Sequence, residues 1–269
     1  MKKDTGSGIL YREWRAPDPD AVLLLVHGLG AHSQRWEFLG DFFLENNISS
    51  YAIELRGFGE TEEHKGHIDS FKTYSDDILT LRDVIARENG NKKIFLTGES
   101  MGALIAFLIA LRDKDFGDAL ICLSPAFASK LKASPLYYLR IFLSFFYNPK
   151  KQFTVPFDSE MCTRDPECRK RMNEDKREHR LATSKLMLAI VKAQLKSLMM
   201  KKKIGKPVLF LLAGKDMLVN PRVSKRIFNA TRAQDKTLLE YPEMYHAISV
   251  DTGREKVFQD MLNWIRGRI

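Results

Sequence analysis

Five short, continuously apolar segments recur along the chain, and stretches with helical periodicity separate most of them. The first is the Ala-Val-Leu-Leu-Leu-Val segment at residues 21–26, and the others lie at residues 50–53, 94–97, 119–123 and 208–212. Short runs of this kind are typical of parallel strands that are buried on both faces. The amphipathic stretches predict helices at residues 35–45, 74–88, 103–112, 222–231 and 254–268. This order of elements predicts an α/β fold with a mostly parallel central sheet flanked by helices.

Residues 125–204 interrupt the alternation, because they contain no clear buried strand. They hold an aromatic helical stretch at residues 136–147 and a basic one at about 180–203. We therefore predict a core made of residues 1–124 and 205–269, with residues 125–204 inserted as a helical cap. The insertion follows the carboxyl end of a predicted strand, and open α/β sheets bind ligands at that edge. The cap is thus expected to cover the functional site as a lid.

The segment Gly98-Glu99-Ser100-Met101-Gly102 lies between a predicted strand and a predicted helix. In this context, Gly-x-Ser-x-Gly is the pattern of a nucleophile elbow, a sharp turn that exposes a serine at the end of a strand. Its glycines are needed where neighbouring backbones come too close for a Cβ atom. A serine at the start of a helix also lies near free backbone N–H groups, which favour developing negative charge. Ser100 is therefore the candidate nucleophile.

A serine hydroxyl needs a general base, and the base needs a carboxylate that orients it. Among the six histidines, His246 has the best placement, in a loop between the strand-like residues 237–241 and the last helix. His27 is interpreted as shaping the loop beside it, and Asp216 directly follows the predicted strand at residues 208–212 and its Ala-Gly-Lys turn. The order Ser100, Asp216, His246 is that of the α/β-hydrolases among the serine-triad folds.

Acyl transfer also requires donors for a tetrahedral oxyanion. In this fold they are the backbone N–H of the residue after the nucleophile, here Met101, and one from the loop after an earlier strand, here Leu29. If Asp216 were not the orienting carboxylate, Asp251 and Glu243 would be the alternatives near His246.

The net charge of +9 comes from the predicted cap. Residues 126–204 hold 18 Lys and Arg against 7 Asp and Glu, whereas the rest of the chain holds 25 against 27. The short runs Arg169-Lys170-Arg171 and Lys201-Lys202-Lys203 lack RNA-binding aromatic motifs, zinc-finger spacing and a leucine-zipper pattern, so no nucleic-acid partner is expected. Most of these charges are interpreted as a solvated helical face. The other hypothesis is attraction of anionic substrates, or peripheral contact with an anionic membrane through the basic cap.

The longest apolar run, residues 103–111, is shorter than the ~20 residues of a transmembrane helix, and no signal-peptide pattern precedes it. The three cysteines, Cys122, Cys162 and Cys168, are too few for a disulfide scaffold and have no metal-site spacing. The sequence leaves one possibility open, a local disulfide between Cys162 and Cys168. We expect a cytoplasmic protein, in peripheral contact with a membrane at most, without a metal or an organic cofactor.

Several segments resemble the monoacylglycerol lipase and lysophospholipase branch of the α/β-hydrolases, a group of serine aminopeptidase-like hydrolases. They are residues 27–36, 54–61, 98–102, 213–219 and 241–246, and the likeness extends from about residue 8 to residue 265. The resemblance implies the same triad and oxyanion residues, and a cap that covers an apolar tunnel for an acyl chain and approaches a membrane. Two residues depart from the family's usual pattern: Glu99 replaces a histidine before the nucleophile, and Glu54 replaces an aspartate before Arg56. Neither departure removes a triad member, but Glu99 changes the polarity beside the nucleophile.

The predicted function is a serine carboxylester hydrolase that cleaves acyl esters, of monoacylglycerol or lysophospholipid type, through an acyl-enzyme. Aromatic residues of the cap either line the acyl site or pack the cap onto the core: Tyr137, Tyr138, Phe142, Phe145 and Phe146. The alternatives are a general carboxylesterase, an aryl esterase or a thioesterase acting on smaller or carboxylate-bearing substrates. A non-catalytic binding protein of the same fold is a more distant alternative.

Overall fold

The computed structural model describes residues 1–4, 6–200 and 204–269. Within these ranges the strands are β1 (Lys2–Lys3), β2 (Leu10–Trp14), β3 (Ala21–Val26), β4 (Ile48–Ile53), β5 (Lys93–Glu99), β6 (Ala119–Leu123), β7 (Gln152–Thr154), β8 (Leu181–Thr183), β9 (Val208–Ala213) and β10 (Lys236–Tyr241). The α-helices are α1 (Glu37–Glu45), α2 (Phe71–Asn89), α3 (Met101–Arg112), α4 (Pro135–Tyr147), α5 (Ser159–Cys162), α6 (Pro166–Glu174), α7 (Ser184–Met200), α8 (Pro221–Ala230) and α9 (Arg254–Arg266).

The central sheet has eight strands in the order β1-β2-β4-β3-β5-β6-β9-β10. Strands β3 to β6, β9 and β10 pair in parallel, whereas β1 and β2 are antiparallel additions at one edge. The inner strands β3, β4, β6 and β9 are buried along their whole length, which explains the uninterrupted apolar sequences of β3, β6 and β9. The predicted α/β class with a mostly parallel sheet is confirmed.

All five strands and all five helices predicted for the core are present; β3 and β6 have the predicted ends, and the other elements have shifted ends. Strand β4 begins at Ile48 and includes Ser49 and Ser50, which are fully buried although their side chains are polar. The Ser49 hydroxyl accepts the backbone N–H of Ala16 at 3.1 Å, so its polar group is satisfied within the core. Strands β1 and β2 were not predicted, because their residues are polar or only half-buried and give no apolar run.

Helices cover both faces of the sheet. On one face, α1 and α9 pack on the apolar side chains of the central strands, and their buried residues include Leu39, Phe43, Phe258 and Leu262. On the opposite face lie α2, α3 and α8, and α3 is buried along almost its whole length. This burial explains why α3 has an apolar sequence all around its axis.

The order of the strands indicates at which edge of the sheet a ligand is expected to bind. From β3 the chain passes through α1 to β4 on one side, and then through α2 to β5 on the other side of β3. Ligands bind in open α/β sheets where the strand order reverses in this way, outside the carboxyl ends of the strands. The loop after β3 and the turn after β5, which carries Ser100, meet at that point.

Between β6 and β9 the chain leaves the sheet and forms α4 to α7 together with a two-stranded antiparallel sheet of β7 and β8. The small sheet was not predicted, because its strands have three residues each and are only partly buried. Helix α7 and the strands β7 and β8 connect this insertion to the core through buried residues such as Ala182 and Leu186. The exact limits of the cap stay a prediction, and the run Lys201-Lys202-Lys203 lies outside the described residues.

Candidate active site

The chain turns sharply where β5 ends and α3 begins, and Ser100 lies at this turn. Its φ of 58° falls in the left-handed region that residues other than glycine rarely adopt. The flanking glycines permit the turn: a Cβ atom on Gly102 would lie 2.0 Å from the carbonyl oxygen of Val26, and one on Gly98 would lie 2.5 Å from the Gly102 carbonyl. A strained serine at a strand-to-helix turn is the geometry of a nucleophile elbow.

Ser100, His246 and Asp216 form one chain of hydrogen bonds. Nε2 of His246 lies 2.8 Å from Oγ of Ser100, and Nδ1 of the same ring lies 2.8 Å from Oδ2 of Asp216. With Nδ1–H donating to the carboxylate, Nε2 is able to accept the hydroxyl proton. The second carboxylate oxygen of Asp216 accepts the backbone N–H groups of Leu218 and Val219 at 2.8 and 2.9 Å. These two bonds hold the carboxylate in its orientation toward the imidazole.

Both members of the His246–Asp216 pair are buried, with 5% and 3% of their surface exposed. Burial by itself would lower the pKa of His246, because it removes water from the imidazolium. The adjacent Asp216 carboxylate outweighs burial, so the pKa of His246 lies above its usual 6.5. The pair therefore stabilises the protonated ring that forms when His246 takes a proton.

His27 has a structural position. Its Nδ1 bonds to the carbonyl oxygen of Gly28 at 2.9 Å, and its Nε2 accepts the backbone N–H of Leu55 at 3.1 Å. The first bond lies within the loop after β3, and the second connects this loop to the one after β4. This arrangement agrees with the interpretation that His27 shapes a loop.

The other two carboxylates considered for the orienting role bond elsewhere. Asp251 is fully buried and accepts hydrogen bonds from Thr163, Arg164 and the Tyr245 backbone. Glu243 is exposed and pairs with a lysine of the neighbouring loop. Only Asp216, of the three, has a bond to His246 among the described residues.

The loop after β3 lies against Ser100. A Cβ atom on Gly28 would lie 3.1 Å from the Ser100 Cβ and 3.7 Å from its Oγ. Leu29, the next residue, lines the cavity into which Ser100 opens, and so does Met101. Because Met101 is the first residue of α3, its N–H lies outside the hydrogen-bond ladder of the helix. The two segments expected to supply oxyanion donors therefore meet at the nucleophile.

Glu99 joins the elbow to the loop that carries His246. It is 5% exposed, and its two carboxylate oxygens accept the backbone N–H of Ser249 at 3.0 Å and the Ser249 hydroxyl at 2.8 Å. Burial raises the pKa of Glu99, although these hydrogen bonds oppose the rise. Glu54, the second departure, accepts hydrogen bonds from Ser33 and the Glu60 backbone and lies away from the triad.

Ser100 opens into a cavity of about 620 Å³, within the range of small-molecule sites. One part of its wall is apolar and comes from α4, α7 and nearby loops, with Leu131, Ile141, Met187, Leu188, Ile190 and Val191. Another part is polar and includes Arg35, Glu178, His179, Arg180 and Asn173. The insertion thus contributes to both walls, while the core supplies the floor with Ser100.

Three of the five cap aromatics named from the sequence line this cavity: Tyr137, Tyr138 and Phe142. Phe145 and Phe146 are outside its lining, and Phe146 is 69% exposed. The polar wall was not foreseen from the sequence. Its residues come from the segment between β3 and α1 and from the insertion, and no local sequence motif connects them.

Among the residues described, no group of three His, Cys, Asp or Glu is arranged to hold a metal ion. No helix in the described ranges is both long and apolar enough to cross a membrane. Cys122, Cys162 and Cys168 are all free and buried, so the local disulfide left open by the sequence is not formed.

The fold and the site define the class: this protein is an α/β-hydrolase and a serine ester hydrolase. It belongs to the family Hydrolase_4, described as serine aminopeptidase S33, whose model matches residues 17–253. Together with the relatives described next, this match confirms the monoacylglycerol lipase-like branch predicted from the sequence.

Three relatives illustrate the likeness. A monoglyceride lipase of Mus musculus is 24% identical over 98% of this chain and 88% of its own length. The crystal structure of Paleococcus ferrophilus monoacylglycerol lipase matches with a TM-score of 0.84 and 26% identity, over 95% of this chain and 97% of that one. An uncharacterized abhydrolase domain-containing protein of Dictyostelium discoideum is 26% identical over 93% of this chain, which spans only 27% of that protein's length.

Proposed function

We propose that this protein hydrolyses acyl esters of monoacylglycerol or lysophospholipid type, with Ser100 as the nucleophile, His246 as the general base and Asp216 as the residue that orients it. The observation that carries the proposal is the chain of hydrogen bonds from Asp216 through His246 to Ser100, which ends in a largely apolar cavity. The three proposed catalytic residues therefore lie next to the cavity proposed to bind the substrate.

In the first half of the proposed reaction, the Ser100 Oγ attacks the ester carbonyl carbon while Nε2 of His246 accepts the hydroxyl proton. The imidazolium is stabilised by Asp216, in agreement with the raised pKa of His246. The carbonyl oxygen gains negative charge and accepts hydrogen bonds from the N–H groups of Leu29 and Met101. Collapse of the tetrahedral intermediate breaks the ester C–O bond, and His246 returns the proton to the departing alcohol.

In the second half, a water molecule takes the place of the alcohol. His246 accepts a proton from the water as its oxygen attacks the acyl carbon, and the same two N–H groups stabilise the second oxyanion. Breakdown releases the fatty acid and restores the Ser100 hydroxyl. No step of this sequence requires a cofactor.

The apolar wall supports an acyl chain as the part of the substrate bound there. Each methylene that leaves water contributes about 0.8 kcal/mol. The named activities of the mouse and Paleococcus relatives, monoglyceride and monoacylglycerol lipase, support the same assignment. The polar wall offers hydrogen-bonding groups to the alcohol part of the ester.

We also propose that the insertion contacts a lipid surface. Helix α4 exposes a row of large apolar side chains: Leu136, Tyr138, Leu139, Phe142, Leu143, Phe146 and Tyr147. Val191, Leu195 and Met199 of the adjacent α7 are also exposed. Exposed Lys132, Arg140 and Lys192 lie on or beside these helices, and a mixed apolar and basic surface favours an anionic membrane interface.

The test is hydrolysis of monoacylglycerols of stepped acyl length and a lysophospholipid, beside a soluble short-chain aryl ester, a thioester and an amide. Replacement of Ser100 by Ala should lower kcat by about 10⁶, because the three residues act as a unit. Ser75→Ala makes the same change in α2, outside the cavity, and should leave kcat unchanged.

The pattern of turnover decides between the candidates. A rate that rises with acyl length and depends on Ser100 supports the proposal. Turnover of the aryl ester or the thioester alone would replace it with a general carboxylesterase or a thioesterase. Turnover that survives the Ser100→Ala change would contradict the assigned nucleophile.

A further inference from the structure

The polar wall of the cavity contains charged side chains that the proposed chemistry does not use. The core contributes Arg35, and the insertion contributes Glu178 and Arg180, beside Asn173. Charged groups in a binding cavity determine which substrates are accepted, because an uncompensated charge favours an opposite charge on the ligand. We therefore ask which of these charged side chains has an oppositely charged partner in the structure.

Arg35 and Glu178 neutralise each other. The Arg35 guanidinium donates to Oε1 of Glu178 through two nitrogens, Nε and Nη2, with a distance of 2.9 Å for Nε. Both side chains are largely buried, with 15% and 13% exposure. The other carboxylate in the cavity wall, that of Glu99, has Ser249 as its partner. Neither carboxylate is left to balance a further cation.

Arg180 has no such partner. Its guanidinium donates to the side-chain oxygen of Asn173, a neutral group, at 2.9 Å and lies 6.0 Å from the centre of the Phe157 ring. Within the described ranges, no carboxylate forms an ion pair with it. The cavity wall therefore carries one guanidinium without a counter-charge.

The backbone at this residue is fixed next to the oxyanion loop. The N–H of His179 donates to the carbonyl oxygen of Gly30 at 3.2 Å, and the carbonyl oxygen of Arg180 accepts the N–H of Val155 at 2.7 Å. A Cβ atom on Gly30 would lie 2.5 Å from the His179 carbonyl oxygen, so the two segments are in close contact. Arg180 itself is half-buried and Asn173 is exposed, which leaves this wall open to water.

We infer that Arg180 binds an anionic group, a phosphate or a carboxylate, on the alcohol part of the ester substrate. The inference rests on the proposed ester hydrolysis and adds a head-group preference to it. A guanidinium forms paired hydrogen bonds with either anion, and the contact with Phe157 holds its plane in place. Access to water at this wall means that the anion keeps part of its hydration, which limits the cost of bringing it into the cavity.

The experiment compares three octanoyl esters: those of glycerol, of glycerol 3-phosphate and of a hydroxy acid with a free carboxylate. The short chain keeps each ester monomeric in solution, so that attraction to a lipid surface does not contribute. The wild-type protein is compared with Arg180→Gln, Arg180→Lys and Lys170→Gln. Lys170 is an exposed residue of α6 that does not line the cavity, so its replacement removes a cap charge elsewhere.

We expect Arg180→Gln to lower kcat/KM for at least one anionic ester by about tenfold or more, since a hydrogen bond to a charged group is lost. The glycerol ester should lose less, because its hydroxyl groups bind a guanidinium without a charge, so the ratio of kcat/KM for the anionic ester to that for the glycerol ester should fall. Arg180→Lys should restore part of the loss, because the charge is kept and the planar pair of donors is not. The preference for the anionic ester should weaken in high salt in the wild type and stay constant in Arg180→Gln.

The ratio between esters is measured in one protein sample, so partial unfolding of a variant does not change it. An equal fall for all three esters, or an Arg180→Gln loss matched by Lys170→Gln, would overturn the inference. The phosphate and carboxylate esters show which anion is preferred. If no ester is cleaved in a Ser100-dependent manner, the proposed function itself fails, which is a distinct result.

Discussion

The core loops that carry Ser100 and His246 and helix α4 of the insertion border the same cavity but hold their side chains differently. Asp216 and His246 are buried and make specific hydrogen bonds through both polar ends of each side chain. Helix α4 buries only Ile141 and Ser144 and exposes most of its apolar residues. The comparison indicates that the proposed chemistry relies on a fixed geometry, whereas the proposed acyl site is formed in part by a helix with few local constraints.

Within the insertion, some segments form ion pairs with the core and others do not. Its middle segment is connected to the core by ion pairs, of Arg35 with Glu178, Asp165 with Arg254 and Arg164 with Asp251. In the described part of the chain, no ion pair joins α4 to the core. The segment that carries Glu178 of the polar wall is therefore connected to the core by ion pairs, as is α7 through Lys185 and Asp69, whereas α4 of the apolar wall is not.

Among the variants that test this comparison, the largest effect should follow from Asp216→Asn, which alters the fixed geometry. The amide oxygen is expected to keep the two backbone hydrogen bonds, so that the NH₂ group faces Nδ1 of His246. The ring would then carry its proton on Nε2, the atom that must accept a proton from Ser100. We expect kcat to fall by about 10⁴ while the melting temperature stays close to that of the wild type. A nearly normal kcat would show that another carboxylate orients His246.

The next largest effect should follow from Asp251→Ala, which breaks the connection between the insertion and the His246 loop. Asp251 is fully buried and accepts bonds from Thr163, Arg164 and the Tyr245 N–H. The loss leaves a partly buried arginine and backbone donors without an acceptor, so urea unfolding should show a decrease of about 3 kcal/mol in the free energy of unfolding. Glu243→Ala, in an exposed pair of the same loop, should have no measurable effect. Equal behaviour of the two variants would refute a stabilising role of Asp251.

The sequence predicted the fixed region well, because local chemistry defines it. The elbow at residues 98–102 and the buried strands have short-range signals, namely glycines at close contacts and uninterrupted apolar runs. The residues Ser100, Asp216 and His246, chosen for their order and their places after strands, are in contact in the structure.

The insertion was predicted less completely, for physical reasons. Strands β7 and β8 are too short to produce a pattern, and their pairing depends on residues about 30 positions apart. The pairing of Arg35 with Glu178 joins residues 143 positions apart, so no local rule identifies it. It is this pairing that leaves Arg180 as the uncompensated charge.

A smaller effect is expected from Glu99→Gln, which changes charge inside the fixed region while keeping its shape. The groups that influence the His246 pKa are Asp216 and Glu99, which raise it, and Arg35, which lowers it. Without the Glu99 charge the pKa of His246 falls, so the neutral base persists to lower pH. The acidic limb of the kcat/KM profile should therefore move to lower pH. Glu243→Gln, three residues before His246 and exposed, is the matched control, and an unmoved limb in both variants would exclude a charge effect of Glu99.

The smallest effects should come from α4, where two phenylalanines of one helix provide a matched pair. Phe142 lines the cavity, whereas Phe146 is 69% exposed and lies outside it. Phe142→Ala should lower kcat/KM for long-chain monoacylglycerols by about fivefold and spare a short aryl ester, since only the long chain reaches this wall. Phe146→Ala should leave both rates unchanged and weaken binding to anionic vesicles. Equal losses of long-chain activity in the two variants would mean that α4 acts only through the lipid surface, and the cavity wall would then have no separate part in acyl selection.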